Sequence, residues 1–137
     1  MIRSKCALLF LLLLLTGCAT TPTAPEDPFT VVAEPLRVRL QTEPAVPRLG
    51  EKVAFIVTVE DMTTGMALEG VEVRPVVRMR MPTMEMNVTL SPTEQVAPGQ
   101  FRTTAPVEHE GEFRVSVSVR RDGLVTPIAF PPIPIQP

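Results

Sequence analysis

The chain has 137 residues, of which 15 are acidic and 13 basic, and its formal net charge is −2. Hydrophobic residues make up 45% of it, but it contains no Trp or Tyr and 16 prolines. This composition argues against a helical bundle with an aromatic core and favours a small β domain with proline-rich ends. Without a basic excess, nucleic acid is not an expected partner.

The first residues are typical of an export signal. Arg3 and Lys5 precede the apolar run at residues 7–15, which is too short to span a bilayer core of about 30 Å as a helix. We therefore expect residues 1–17 to be a signal peptide that is removed. Cys6 leaves with it in this interpretation.

The apolar run ends in Leu-Thr-Gly-Cys at residues 15–18, which resembles the bacterial lipobox. That resemblance implies cleavage before Cys18, a diacylglyceryl thioether on its sulfur and an acylated α-amine, carrying palmitate-type chains. The alternative is an ordinary secretory signal that ends in an incidental cysteine. Because Ala19 and not Asp follows Cys18, we expect a lipid anchor in the outer membrane, facing the periplasm, in a cell with two membranes. The rest of the chain has no cysteine, so it offers no disulfide or thiol chemistry.

Residues 18–35 are predicted to form an extended tether, because prolines recur among Thr, Ala and acidic residues without apolar periodicity. Beyond them, apolar residues alternate with polar ones at the period of a β-strand. We predict about seven strands, joined by Gly-, Asp- and Pro-containing turns. They cover residues 36–40, 53–59, 71–81, 86–90, 100–105, 113–119 and 124–129.

The spacing of these turns predicts a single all-β domain over residues 36–130, an immunoglobulin-like antiparallel sandwich. The proline-rich residues 131–137 are predicted to be an edge or a tail.

Six of the seven methionines fall within residues 62–86. The densest part is Met79-Arg80-Met81-Pro82-Thr83-Met84-Glu85-Met86. Spacing of two on an extended chain puts side chains on one face, and Pro82 should turn the chain. Two Met-x-Met arms folded back on each other would gather three or four thioether sulfurs. Such soft, uncharged ligands suit Cu(I) in an oxidising compartment.

Core packing is the competing explanation for part of this cluster. Met79 and Met81 share parity with Val73 and Val77, so the same pleat would bury them, and methionine is a common filler of core gaps. Met84 and Met86 lie beyond the proline among polar neighbours, where a solvent-facing role and core packing both stay open. Met62 and Met66 lie in another turn and are predicted to cover the edge of the core.

The lone histidine, His109, lies in the connection at residues 107–111. If consecutive strands are antiparallel, successive connections alternate between the two ends of the sandwich. The connections at residues 44–50, 82–85 and 107–111 should then meet at one end, while Met62 and Met66 lie at the other. His109 could approach Met84 there and form a mixed site that also tolerates Cu(II). The alternatives are a solvated loop histidine between two carboxylates and, with less support, a zinc site.

The pattern resembles the YtkA-like domain family of small exported β domains, which often carry a Met-Pro-x-Met turn. The matching segments are Met81-Pro82-Thr83-Met84, then Pro98-Gly99-Gln100-Phe101, and the strand that begins Gly111-Glu112-Phe113. Family members usually have Tyr and Trp where this chain has Phe101 and Phe113, and often His where it has Glu85 and Asn87. The resemblance implies an immunoglobulin-like fold and a link to copper handling or to oxidase assembly.

An enzyme is not expected, because no nucleophile elbow, oxyanion loop or phosphate-binding glycine pattern accompanies His109. We expect instead a membrane-anchored envelope binding protein. Its candidate copper ligands are Met84 and Met86, with Met81 and His109, and its partner would be an envelope or copper protein. The alternative is an envelope interaction or scaffold module without a metal, in which the methionines only pack.

Overall fold

The computed structural model describes residues 27–137, which form ten β-strands and no helix. The strands make two antiparallel sheets of five strands each, so the predicted all-β sandwich is confirmed. The predicted signal, Cys18 and the first part of the tether lie outside the described residues. Among residues 27–137, no helix has the length and apolarity needed to cross a membrane.

The first sheet has the strand order β1-β2-β3-β7-β6. Its strands are β1 (Thr30–Ala33), β2 (Leu36–Glu43), β3 (Lys52–Asp61), β6 (Glu94–Ala97) and β7 (Gln100–Pro106). The second sheet consists of β4 (Glu72–Arg80), β5 (Glu85–Asn87), β8 (Glu112–Arg121), β9 (Leu124–Ala129) and β10 (Ile133–Pro134). In it β5 pairs with β4, β4 with β8, and both β9 and β10 pair with β8.

Alternating apolar residues close the sandwich because each strand turns every second side chain inward. On β8, for example, Phe113, Val115, Val117 and Val119 are all buried, while their neighbours are exposed or half-buried. The rings of Phe55 and Phe113 meet edge to face across the core, with centroids 5.5 Å apart and an interplanar angle of 85°. This geometry is favourable for aromatic pairs.

The prediction of one strand at residues 86–90 was wrong in an informative way. The chain there changes sheets: the Val88 amide donates to the Val77 carbonyl of β4, and the Ser91 amide donates to the Thr104 carbonyl of β7. The Thr103 hydroxyl donates to the Ser91 carbonyl and reinforces the second attachment. β5 therefore continues into β6 across the edge of the sandwich, and β6 was missed.

The folded domain is longer at both ends than the predicted residues 36–130. β1 lies within the predicted tether and pairs with β2, and Phe29 packs against the core. In the predicted tail, Ile133 and Ile135 are buried. Exposed prolines alternate there with buried isoleucines, so the segment has strand periodicity although proline cannot donate a ladder hydrogen bond. It lies at an edge, as predicted, but not as a free tail.

Candidate functional site at the methionine rim

A hairpin of β4 and β5 carries the dense methionine cluster. The Met81 amide donates to the Met84 carbonyl over 2.8 Å, which leaves Pro82 and Thr83 at the tip of the turn. In the adjoining ladder Met79 is the partner of Met86, and Arg80 is the partner of Glu85. The predicted turn at Pro82 is thus present.

The register of this hairpin places the four thioethers on one face. Cross-strand partners project from the same side of a sheet, so Met86 shares the inward face with Met79, and Met81 and Met84 continue the same parity. Burial falls along this row: Met79 is 2% exposed, Met86 36% and Met84 57%. Met81 is partly buried against the core. Met79 thus packs as the core-packing interpretation predicted, and the two sulfurs beyond Pro82 reach solvent.

The connection that holds His109 lies at the same end of the sandwich. Arg80, at the end of β4, is the partner of Glu112 at the start of β8. The connection at residues 44–50 joins them, since the Gly50 amide donates to the Val107 carbonyl over 2.8 Å. We call this end, formed by residues 44–50, 81–86 and 106–111, the methionine rim. The alternation of antiparallel connections predicted it.

Gly111 allows this close approach. Its φ is +145°, and a Cβ there would overlap the Arg80 carbonyl oxygen. Only glycine adopts that backbone region easily. The loop with His109 can therefore lie directly against the end of β4.

A cavity of about 280 Å³ at the rim is shared by His109 and two of the methionines, Met79 and Met86. It is lined by Met79, Met86, Asn87, Val88, Thr89, Pro106, Glu108 and His109. Met81 and Met84 adjoin it at the turn without lining it. Of the predicted set, the structure thus joins Met86 to His109, and it places Met81 and Met84 beside each other at the tip.

Two carboxylates line depressions that His109 also lines. Glu108 shares the cavity, and a second depression lined by His109 also includes Glu51 and Glu108. Their negative charge favours a cation at the rim. Sequence reasoning did not include Glu108 or the floor residue Met79 in the site. The position of Glu108 next to His109 in the sequence could have indicated its presence at the site. That Met79 both fills the core and lines the cavity follows only from the strand register.

Met62 and Met66 lie at the opposite end, as predicted. The Met62 amide donates to the Pro35 carbonyl, and the Met66 carbonyl accepts from the Asp61 amide. At this far end the Thr64 and Thr63 amides donate to the Asp61 carboxylate and hold its pKa below the ordinary value of 3.8. Met66 is 69% exposed, so the prediction that it covers the edge of the core was wrong.

Within residues 27–137, no three His, Cys, Asp or Glu side chains group closely enough to hold a metal ion. The donors that converge at the rim are thioethers, one imidazole and one carboxylate.

A scan against protein-family models matched no family, and a search among curated proteins found no similar sequence. The resemblance to the YtkA-like family therefore stays a prediction.

Proposed function

We propose that this chain is a lipid-anchored envelope protein that captures Cu(I) weakly at the methionine rim and passes it to a partner protein. Met84 and Met86 would be the principal ligands, with Met81 and His109 completing the set. The observation that carries the proposal is the hairpin register, which aligns four methionines on one face. One of the two exposed ones, Met86, lines the same cavity as His109.

The donor chemistry fits this cargo. Thioethers and imidazole are soft or intermediate ligands that bind Cu(I) without losing a proton at neutral pH. Met84 and Met86 are accessible to an incoming ion. Glu108 adds a negative charge in the cavity that Met86 lines. Neutral sulfur ligands on an exposed turn exchange readily, which suits transfer better than storage.

The proposed anchor suits the same role. If Cys18 is acylated, residues 19–26 separate the membrane from the start of the described domain. A proline-rich segment of this kind is a semi-rigid spacer. The domain could then present its rim to a partner on or near the membrane surface. We also propose that the sandwich has an immunoglobulin-like topology and that the chain is a member of the YtkA-like family.

Titration of a soluble chain of residues 19–137 with Cu(I), against a competing chelator, tests the function. This chain keeps every core residue, because the core lies within residues 29–135. We expect one Cu(I) per chain, and at least tenfold weaker binding in Met86→Leu and in Met84→Leu. Leucine keeps the volume of methionine without its sulfur.

Met66→Leu is the matched control, because Met66 is an exposed methionine at the far end. It should bind Cu(I) like the wild type. His109→Gln should weaken binding by a smaller factor than either rim methionine. Absence of binding at micromolar copper, or an equal loss in Met66→Leu, would contradict the proposal. Either result would favour the alternative, an interaction module in which the methionines pack, as Met79 does.

A further inference from the structure

The outer face of the second sheet holds a group of arginines that the methionine rim does not use. On β4 and β8 the outward side chains face each other in pairs fixed by the register. Two of these pairs are complementary in charge: Glu72 opposes Arg120, and Arg80 opposes Glu112. Arg78, however, directly opposes Arg114. Like charges in direct cross-strand register are destabilising.

Nearby carboxylates neutralise this pair incompletely. Arg78 lies 3.8 Å from Glu85, and Arg114 lies 3.5 Å from Glu112. Glu112 also serves Arg80 at 3.9 Å, so two carboxylates are shared by three guanidinium groups. By contrast, Arg74 on the same face makes a close pair with Glu72 at 2.7 Å. A local positive excess thus exists on a chain whose formal net charge is −2.

The two arginines border an open groove of about 780 Å³. Its lining also includes the Glu85 carboxylate, which pairs with Arg78, and the Ser116 hydroxyl. The apolar residues Val76, Ala129 and Pro132 form the rest of its wall. The groove forms where the edge of the sheet is interrupted: β9 ends at Ala129, and the Phe130 amide still donates to the Val115 carbonyl before the chain turns through two prolines. The arginine side chains are 59% and 44% exposed, so their guanidinium groups are accessible.

We propose that Arg78 and Arg114 bind a phosphate group, with Ser116 as a further donor and the apolar wall beside the organic part of a phosphate monoester. An anion between the two guanidinium groups would relieve their repulsion. Phosphate has enough acceptor oxygens for both planar forks at once. The same chemistry is presented by a free phosphate and by a phosphate-bearing lipid headgroup. This inference is independent of the copper proposal.

The test titrates the soluble chain of residues 19–137 with inorganic phosphate. Binding is monitored by ³¹P NMR and by the NMR shifts of the backbone amides. We expect saturable shifts centred on β4 and β8, and weaker binding as salt rises. Arg78→Gln and Arg114→Gln should each reduce the affinity at least tenfold. Arg102→Gln, which removes an exposed arginine of the other sheet, should leave it unchanged.

Stability without phosphate separates a ligand site from a structural role. If the pair repels, Arg114→Gln should unfold at the same temperature as the wild type or a higher one, and only the wild type should gain stability from phosphate. A clear loss of stability in phosphate-free Arg114→Gln would overturn the proposal. So would absence of phosphate binding at millimolar concentration, equal loss in Arg102→Gln, or tighter binding of acetate than of phosphate.

Vesicles distinguish the source of the phosphate group. Phosphatidylcholine vesicles with phosphatidic acid are compared with vesicles of phosphatidylcholine alone, in a sedimentation assay. Arg114-dependent binding to the first kind only would assign the site to a lipid headgroup. Phosphate binding in solution without vesicle binding would assign it to a soluble phosphate.

Discussion

Methionine has two uses in this domain, and single residues show the difference. Met79 is 2% exposed and fills the core beside Val77 and Phe113, whereas its cross-strand partner Met86 is 36% exposed. Both point to the same side of the sheet, so orientation alone does not separate them. The difference arises because β5 is a three-residue edge strand, and the first sheet does not cover it fully.

Sequence alternation predicted part of this arrangement correctly. The parity of Met79 with Val73 and Val77 predicted its burial, whereas the position of Met84 beyond Pro82 left its exposure open. Alternation did not show that Met79 also lines the cavity with His109. The shared cavity depends on the loop of residues 106–111 lying close to β5. These two segments are far apart in the sequence, so no local pattern predicts their proximity.

At the far end, the Asp61 carboxylate stabilises its turn by accepting the Thr63 and Thr64 amides, which lowers its pKa. A group whose pKa is lower in the folded state stabilises the fold above its unfolded pKa, and this contribution is lost as pH falls through the folded value. We therefore expect Asp61→Asn to lower stability at neutral pH and to flatten its dependence on pH in the acidic range.

Urea unfolding followed by circular dichroism, from about pH 2.5 to pH 7 to span the carboxylate range, measures this effect. Fluorescence is unsuitable because the chain has no Trp or Tyr. Asp122→Asn is the control, since the side chain of Asp122 is 91% exposed. A pH profile of Asp61→Asn parallel to that of the wild type would refute the assigned role.

Among the elements, the loop of residues 106–111 decides the geometry of the rim. Gly111 lets it lie against the end of β4, because no side chain separates it from the Arg80 carbonyl. The sequence contains glycine there, and a connection between strands was predicted at residues 107–111. The need for close approach could not be predicted, because it depends on the pairing of β8 with β4.

We expect Gly111→Ala to destabilise the domain by about 3 kcal/mol, because it combines an unfavourable φ with steric overlap. Gly123→Ala, at φ +79° but with no atom within 4 Å of the added Cβ, should cost only about 1 kcal/mol. Unfolding measurements on both variants separate the two effects. Equal losses of stability would show that overlap with Arg80 is unimportant. They would also contradict the role of Gly111 in positioning the loop that holds His109.

Strand prediction missed three elements, all of which contain or follow proline, although β4 and β9 were predicted despite Pro75 and Pro127. β1 has four residues and follows a proline-rich segment, β6 follows Pro92, and β10 alternates isoleucine with proline. In β1 the sequence Thr30-Val31-Val32-Ala33 favours a strand, but it is short and follows prolines. In β10 proline opposes a strand, and pairing in the folded sheet overrides that preference. Proline has no amide hydrogen to donate, but neighbouring residues of β10 supply the hydrogen bonds. The Ile135 amide, for example, donates to the Gly111 carbonyl.

On the scale of the whole molecule, the prediction that successive connections alternate between the two ends of the sandwich was correct despite the missed strands. The missed β6 continues β5 after its change of sheet, so it does not alter which connections share an end. β1 precedes all of them. An incomplete strand count was therefore enough to predict that Met84 and His109 lie at one end of the sandwich and Met66 at the other.

The two proposed sites lie on different parts of one molecule. The methionine rim is at one end of the sandwich, and the arginine groove is on the outer face of the second sheet, joined to the rim through Glu85.

The central claim is that the rim methionines, and not the other exposed one, bind soft metal. The most direct measurement is NMR of methionine methyl groups labelled with ¹³C in the chain of residues 19–137, during titration with Cu(I) or its stable mimic Ag(I). The methyl resonances of Met84 and Met86 should shift together and saturate at one ion per chain, while those of Met62 and Met66 stay in place. Shifts of equal size at Met66, or none at Met84 and Met86, would contradict the account.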